Sequence, residues 1–233
     1  MKPGNKEYTH FEILGYSYAL PLRTSGSKTK EHILMEATIL FAKNGYSAVS
    51  MRDLAEVIGI KPASLYNHFD SKEALWEAVL DHTTDLYRLY FKQLGEALDS
   101  ARTFAEALDI IFSETIELKN LFTCYAFTLI QSEQFRDRRA GEAFNAAFIE
   151  HGVDSLKTRF DSYVARQMAP PFNTKVVATM VMNSVFMGLA VKVQETMGRP
   201  TPYDPGEMFS ELRDFILALV IGNAAASDRG QAS

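Results

Sequence analysis

The chain has 233 residues and a formal net charge of −5, with 47% hydrophobic and 23% charged residues. This composition is ordinary for a folded globular protein and excludes a wholly disordered or fibrous chain. The acidic balance also excludes a polybasic coat that would bind nucleic acid or anionic lipid over the whole surface, so any such site must be local.

The chain is predicted to begin with an extension, residues 1–28, followed by a first helix. The extension shows no clear period and ends in PLRTSGSK, a Pro, Gly and Ser cluster typical of a flexible linker. From Thr29, apolar residues recur at helical spacing as far as Phe41. Asn44 and Gly45 then supply the left-handed stop that ends many helices.

A second, short helix is predicted directly afterwards. Ser50 heads the run SMRDLAEVIG, and Asp53 follows three residues later, which is close to a capping box. Gly59 ends this helix after barely two turns.

A third helix is predicted to begin at Pro62, since proline is tolerated at the first helical position. It is expected to run to about Phe69. Asp70 or Ser71 then caps a fourth helix.

The rest of the chain is predicted to be helical. Prolines in APPFN and GRPTPYDPG isolate a long apolar helix, 174–197, because they cannot continue a helix. A final helix is expected at 206–222. The small residues of 224–233 are predicted to form a fraying tail.

Two short helices joined by GIK match the helix-turn-helix arrangement, which offers its second helix to the DNA major groove. At about 100° per residue, Leu65 and Phe69 pack inward while Ala63 and Asn67 face outward. Ser64 lies on one outer flank. Small outward residues would allow the backbone to approach base edges closely.

The outer face carries residue types that can read DNA. Asn67 donates and accepts hydrogen bonds at once, and Ser64 can do either. Tyr66 can place its ring against a thymine methyl group or its hydroxyl on a phosphate. His68 and Tyr66 bracket this face.

Basic residues flank the face, but the local charge balance opposes a DNA site. Arg52 is placed to reach a guanine edge or a phosphate, Lys72 to hold the DNA backbone, and Lys61 to add positive potential. Residues 28–77 nevertheless hold six Lys or Arg against seven Asp or Glu, whereas a DNA-binding segment normally shows a basic surface. The alternative interpretation is a plain turn between packed helices.

The run ILMEATILFAKNGYSAVSMRDLAEVIGIKPASLYNHFDSKEAL resembles the amino-terminal domain of the TetR family of bacterial transcriptional regulators. The likeness lies in the helix lengths, the LF..GY stop and the LYNHF.SKE.L segment. It implies an all-α fold with an amino-terminal three-helix DNA-binding domain, residues 29–73, that contains the helix-turn-helix. A larger carboxy-terminal helical ligand-binding and dimerisation domain would occupy residues 74–223.

The resemblance also implies function. A homodimer would bind a pseudo-palindromic, double-stranded DNA operator, and a small-molecule effector would then weaken that binding. Lys61 stands where many members carry Ser or Thr, so the usual cap of the third helix is missing, and Pro62 replaces a frequent basic residue. The predicted DNA-binding residues are Thr29, near a phosphate, with Arg52, Lys61, Ser64, Tyr66, Asn67, His68 and Lys72.

Two apolar helices predict a second subunit. The helix 174–197 is apolar on most of its circumference, and the helix 206–222 carries a broad apolar stripe. One core can cover one such face, so two wide faces predict a homodimer with a four-helix seam. Packing within a single chain is the alternative.

The effector site is predicted from residue type alone. Aromatic and Met side chains make adaptable apolar walls, and polar residues on apolar segments are candidate anchors. For each of them, ordinary core packing is the alternative. The walls are Phe112, Phe122, Tyr125, Phe186 and Met187, and the anchors are His82, Gln131 and Asn183.

No motif for catalysis, metal or cofactor binding is present in the sequence. HExxH, GxSxG and a phosphate-cradling Gly-rich loop are absent, and the only Glu-x-x-His, Glu7 to His10, lies in the extension. The sequence therefore predicts no enzyme, no metal and no cofactor. The resemblance implies a ligand-released repressor, and the alternative is a helical homodimeric assembly module that has lost DNA binding.

Cysteine content and apolar runs predict the compartment. The single cysteine, Cys124, excludes an intramolecular disulfide framework and is expected to be buried. The longest nearly apolar run, Val176 to Val191, is shorter than the roughly 20 residues that span a bilayer. With no convincing signal-peptide cleavage site, the chain is expected in the cytoplasm without a membrane partner.

Overall fold

The computed structural model describes residues 8–13, 16–21, 30–116, 121–196, 198–201 and 203–230. Within them, the chain forms ten α-helices, one π-helical segment and one β-hairpin. The helices are α1 Lys30–Asn44, α2 Met51–Ile58, α3 Pro62–Tyr66, α4 Lys72–Asp99, α5 Phe104–Ile116, α6 Leu121–Glu133, α7 Arg138–Phe144, α8 Asp154–Ala165, α9 Thr174–Thr196 and α10 Pro205–Gly230, with the π-helical segment at Asn145–Val153. The predicted helical fold is confirmed.

The hairpin lies in the amino-terminal extension. Strands β1, Tyr8–Ile13, and β2, Tyr16–Pro21, pair antiparallel with Phe11 opposite Tyr18. The prediction that the extension lacks a regular period is wrong over these residues. Aromatic residues occur in both strands and β-branched residues in β1, and such residues favour strand structure.

The described elements pack as two compact units. One comprises Met1–Tyr87 and Lys119–Asn145, and the other comprises Arg88–Leu118 and Ala146–Ser233. Sequence reasoning placed the domain boundary after residue 73 and gave α6 and α7 to the larger domain. In the structure, α6 packs against α1 and α7 against α6, so both belong to the first unit.

Local signals set the ends of the helices in the first unit. Gly45, with φ of 84°, follows α1, and Gly59, with φ of 69°, ends α2. The predicted capping box is present: Asp53 N–H donates to Ser50 Oγ at 3.2 Å, and Ser50 N–H donates to Asp53 Oδ2 at 2.8 Å. Ser71, rather than Asp70, caps α4, because its Oγ accepts the Ala74 N–H at 3.1 Å.

The third helix is shorter than predicted, ending at Tyr66 instead of about Phe69. His68 N–H donates to Leu65 O, three residues back, at 3.0 Å, which tightens the chain into a turn. Phe69 N–H also donates to Leu65 O, at 3.1 Å. Because the turn leaves both Leu65 and Phe69 buried, apolar spacing could not distinguish it from a continued helix.

The second unit is built on α9, which packs against α5, α8 and α10. Phe112 of α5 stacks on Phe209 of α10, with ring centroids 5.0 Å apart. The last helix does not end at 222 as predicted, and its backbone continues through the predicted tail to Gly230. Residues 224–226 are alanines, the best helix formers, and they favour this continuation.

Among the described residues, one helix is long and apolar enough, by length and composition, to cross a membrane: the stretch Thr174–Glu195 of α9. Half of the stretch is buried inside the protein. A buried core helix can be equally long and apolar, and the sequence predicts that α9 packs in a dimer seam or within its own chain.

Candidate nucleic-acid interface

α3 buries one side and exposes the other. Leu65 and Phe69 are buried, as their spacing predicts. Tyr66 is 48% exposed. The same outer face also exposes Ala63, Asn67 and His68, with Ser64 half-buried. The small, polar surface predicted from the sequence is therefore open to solvent.

An open depression of about 570 Å³ lies beside α3. It is lined by residues 47–52 at the start of α2, by Pro62 and Tyr66 of α3, and by Lys72 at the start of α4. Three of the predicted DNA-binding residues, Arg52, Tyr66 and Lys72, are thus brought to one concave surface.

The basic side chains of this surface are not held by acids. Within the described part of the chain, Arg52, Lys61 and Lys72 form no ion pair. All three lie in the same compact unit. Their positive charge is available to a negatively charged partner.

Several acids that make the segment net negative are engaged elsewhere. Asp53 takes part in the capping box of α2. Glu77 pairs with Arg139 of α7, and Glu36 pairs with His32 at 3.3 Å. The count along residues 28–77 overstates the free negative charge at Glu77, because it omits Arg139. Asp53 keeps its charge in the capping box, and His32 offsets the charge of Glu36 only when the imidazole is protonated.

Lys61 and Thr29 complete the predicted set. Lys61 occupies the N-cap of α3 without a side-chain capping hydrogen bond, as the departure from the family pattern predicts. Its side chain is exposed. Thr29 lies outside the described residues.

Sequence reasoning missed Tyr46, which it used only as part of a helix stop. The Lys72 ammonium lies 4.2 Å from the centroid of the Tyr46 ring. The same ring stacks on Trp76 at 4.6 Å. Burial raises the pKa of the Tyr46 hydroxyl, and the charge of Glu73 raises it further. One feature of the sequence could have indicated this contact: Lys72 and Trp76 lie four residues apart, on one face of α4, so one aromatic ring can contact both.

The stability of this unit is expected to depend on pH through Asp53. Hydrogen bonds from the Ser50 hydroxyl and then from the Ser50 backbone lower the pKa of the Asp53 carboxyl. Stabilisation by this carboxylate is therefore present above the unfolded-state pKa of about 3.9 and is lost as pH falls through the lower folded-state pKa. Urea unfolding of wild type and Asp53→Asn should differ at pH 6 and converge toward pH 3. A constant difference would contradict this account.

The eight predicted effector residues are divided between the two units. Phe112 belongs to the aromatic core of its unit, and Phe186 meets Phe148 edge to face at 5.1 Å. The first unit contains His82, Phe122, Tyr125 and Gln131, and the second contains Phe112, Asn183, Phe186 and Met187. The structure does not bring the eight together within either unit.

Two of these residues do not line the interior of their unit. Asn183 and Met187 are exposed on α9, on the same side as the exposed Val176. Residues four apart share a helix face, which accounts for their common orientation. A role at an external surface fits them better than a role as pocket lining.

In the part of its unit that the structure describes, His82 is one of several residues on α4 and α6 that have a buried polar side-chain atom without a partner. Within the described residues, His82 Nδ1, Thr83 Oγ1 and Thr123 Oγ1 are buried without a hydrogen-bond partner. Tyr87 OH donates to Thr123 O at 2.7 Å, which joins α4 to α6. The His82 ring lies 6.0 Å from Phe122. Burial lowers the pKa of His82 and so favours its neutral form.

Comparison with known proteins identifies the family. Residues 33–79 match the family model described as bacterial regulatory proteins, tetR family. Over 153 residues, the chain is 33% identical to the HTH-type transcriptional repressor KstR2 of Rhodococcus jostii (strain RHA1), across 59% of this chain and 72% of that protein. The chain belongs to the TetR family of bacterial regulatory proteins. The resemblance found in the sequence is thereby confirmed.

Solved structures share the TetR fold. A TetR-family transcriptional regulator from Mesorhizobium loti MAFF303099 has a TM-score of 0.63 at 17% identity, covering 83% of this chain and 98% of that one. A transcriptional regulator from Saccharomonospora viridis in complex with choline has a TM-score of 0.62 at 19% identity, covering 79% and 93%. The chain is therefore a TetR-family transcriptional regulator with an amino-terminal DNA-binding domain, and its relatives are regulators rather than enzymes.

Proposed function

We propose that the chain is a homodimeric repressor that binds a pseudo-palindromic operator through α3 and is released from it by a small molecule. The observation that carries the DNA-binding part is the exposed outer face of α3. Tyr66 is open to solvent there, as are Asn67 at the end of the helix and His68 in the turn that follows. Arg52 and Lys72 supply positive charge beside them. The relative KstR2 is named as a repressor.

The proposed contacts divide by chemistry. Side chains that both donate and accept hydrogen bonds suit base edges, and basic side chains suit phosphates. Arg52 could serve either, since a guanidinium binds a guanine edge or a phosphate bidentately. Base edges are assigned to Ser64, Tyr66, Asn67 and His68, and phosphates to Thr29, Lys61 and Lys72.

Selection from a pool of randomised DNA duplexes tests the proposal. Purified protein should enrich an inverted repeat whose half-sites lie about 34 Å apart, because a two-fold dimer places two recognition helices in successive major grooves. No enrichment would contradict operator binding and favour the assembly module. Enrichment of a sequence without symmetry would contradict the dimeric mode.

For the effector, the support lies in the buried polar groups of His82, Thr83 and Thr123. Such groups normally have partners, and a bound small molecule can provide them. The apolar residues Phe122 and Tyr125 would cover its carbon skeleton. The structural neighbour that holds choline is a precedent for a small ligand in this fold. Gln131, in the same unit as His82, stays a candidate for this site. Phe112 and Phe186 lie in the other unit and stay separate predictions of effector contact.

Native mass spectrometry of protein purified from its host tests the effector proposal. A mass above that of the polypeptide should reveal a retained compound. Adding that compound should then release the selected duplex. A compound that leaves DNA affinity unchanged would contradict a role as effector.

For the dimer, the support is the apolar surface that α9 and α10 expose. Val176 and Met187 on α9 are exposed, as are Phe215 and Ile221 on α10. Apolar surface of this kind marks interfaces when it is contiguous. An isologous pairing of α9 and α10 with a second copy would cover it.

Phe215→Glu is expected to weaken dimerisation by about 100-fold or more, since the interface would then bury two unpaired carboxylates, one from each copy. Native mass spectrometry should show the monomer in place of the dimer. Val57→Glu is the matched control, because Val57 is exposed on α2 in the other unit. Persistence of the dimer in Phe215→Glu would exclude α10 from the interface.

The proposed location is the cytoplasm, where the bacterial chromosome is accessible. Cys124 is buried, as predicted. No metal or cofactor enters the proposal.

A further inference from the structure

Lys72 carries a long flexible side chain at the depression beside α3, and flexibility weakens a phosphate contact. A lysine side chain holds about 2 kcal/mol of rotamer entropy, part of which is lost when its ammonium is fixed on a ligand. A group that orders the side chain beforehand reduces that loss. Such a group is present in the structure.

The ring of Tyr46 lies under the Lys72 ammonium. The distance from Lys72 Nζ to the ring centroid is 4.2 Å, well within the roughly 6 Å over which a cation is attracted to an aromatic face. Lys72 also lines the depression together with Arg52 and Tyr66. The contact therefore places the ammonium on the ring at the depression, and Lys72 is only half-buried there.

Tyr46 is itself held by several contacts. It stacks on Trp76 at 4.6 Å and meets Phe41 edge to face at 5.4 Å, and both of these partners are fully buried. Its backbone N–H lies 3.4 Å from Oε1 of Glu133, a buried carboxylate at the end of α6. A ring fixed in this way can impose its position on a lysine.

We propose that Tyr46 is a positioning residue for DNA binding: its ring holds the Lys72 ammonium where it meets a phosphate and thereby raises operator affinity. The proposal rests on the proposed function, because it requires Lys72 to contact DNA. It assigns a role in affinity to a residue outside the recognition helix and outside the predicted contact set.

A double-mutant cycle separates positioning from general support of the fold. The four proteins are wild type, Tyr46→Leu, Lys72→Met and the double variant, each titrated by fluorescence anisotropy onto the duplex selected with wild type. Tyr46→Leu should weaken binding about two- to fivefold, the size expected of one cation–π contact. In the Lys72→Met background it should have no further effect.

The conservative variant and the salt dependence sharpen the test. Tyr46→Phe keeps the aromatic face and should restore affinity to within about twofold of wild type. Lys72→Met should reduce the slope of log affinity against log salt by about 0.9, the value for one phosphate. Circular dichroism of each variant establishes that it is folded.

Three outcomes would overturn the inference. If Tyr46→Leu weakened DNA binding equally in wild type and in the Lys72→Met background, Tyr46 would act only by supporting the fold. If Lys72→Met left operator affinity unchanged, Lys72 would make no phosphate contact, although α3 could still bind DNA. Failure of wild type to enrich any duplex would overturn the proposed function as well.

A second measurement applies even if Tyr46→Leu does not fold. In wild type, the Cε protons of Lys72 should show an upfield ring-current shift by NMR, assigned by comparison with Lys72→Arg. An unshifted signal would show that the ammonium does not rest on the ring, and this too would overturn the inference.

Discussion

Tyr66→Ala is expected to weaken binding to the selected duplex by about 1–3 kcal/mol, which is roughly 5- to 150-fold. Tyr66 is exposed on the outer face of α3 and lines the depression that also holds Arg52 and Lys72. Removing its ring would remove one contact to a base or phosphate. The free energy of unfolding of the variant should differ from that of wild type by only about 0.5 kcal/mol, since the Tyr66 side chain is a surface group. Anisotropy titration and urea unfolding measure the two quantities.

Tyr203→Ala is the matched control for that result. Tyr203 is also an exposed tyrosine, but it belongs to the other compact unit. Its loss should leave DNA affinity unchanged. Equal weakening by both variants, or by neither, would contradict the assignment of Tyr66 to the DNA interface.

Trp76→Ala is expected to lower the free energy of unfolding by about 3–5 kcal/mol, which is a large fraction of the stability of a typical domain. Trp76 is fully buried and contacts Phe41 and Tyr46. Its indole Nε1 has no hydrogen-bond partner among the described residues, so the loss comes from packing. Urea unfolding followed by circular dichroism measures the change.

Trp76→Phe is the control for the packing argument. Phenylalanine keeps an aromatic ring at the site and gives up no hydrogen bond, so its cost should be clearly smaller than that of alanine. Similar costs for the two variants would show that the polar indole edge matters. A change below about 1 kcal/mol for Trp76→Ala would contradict the central place of this ring in the core.

The helix-turn-helix was predictable because its signals are local. Ser50, Asp53 and Gly59 determine the ends of α2 through hydrogen bonds and backbone angles within a few residues. The inward side of α3 followed from the spacing of Leu65 and Phe69. These interactions involve only residues close together in the chain. The sequence alone was therefore sufficient to predict the ends of α2 and the buried side of α3.

The end of α3 and the hairpin show where local reasoning fails. A tight turn after Tyr66 and a continued helix would both bury Phe69. The spacing of apolar residues therefore does not distinguish the two structures. In the extension, a two-stranded pairing depends on the register between strands, which the period of either strand alone does not reveal.

Contacts between distant segments were beyond the sequence pattern. Tyr46 and Lys72 are separated by two helices, and the packing of α1 against α6 joins residues far apart in the chain. The effector residues were chosen by type, and type does not distinguish an exposed Met187 from a buried Phe112. Only the packed structure made these distinctions.

The most direct test of α3 as the DNA-reading element is an NMR titration of the isotope-labelled protein with the selected duplex. If α3 reads DNA, the largest shifts should appear in the backbone signals of Ser64, Tyr66, Asn67 and His68, with further shifts at Arg52. Shifts confined to α9 and α10, with the signals of α3 unchanged by bound DNA, would contradict DNA reading by α3.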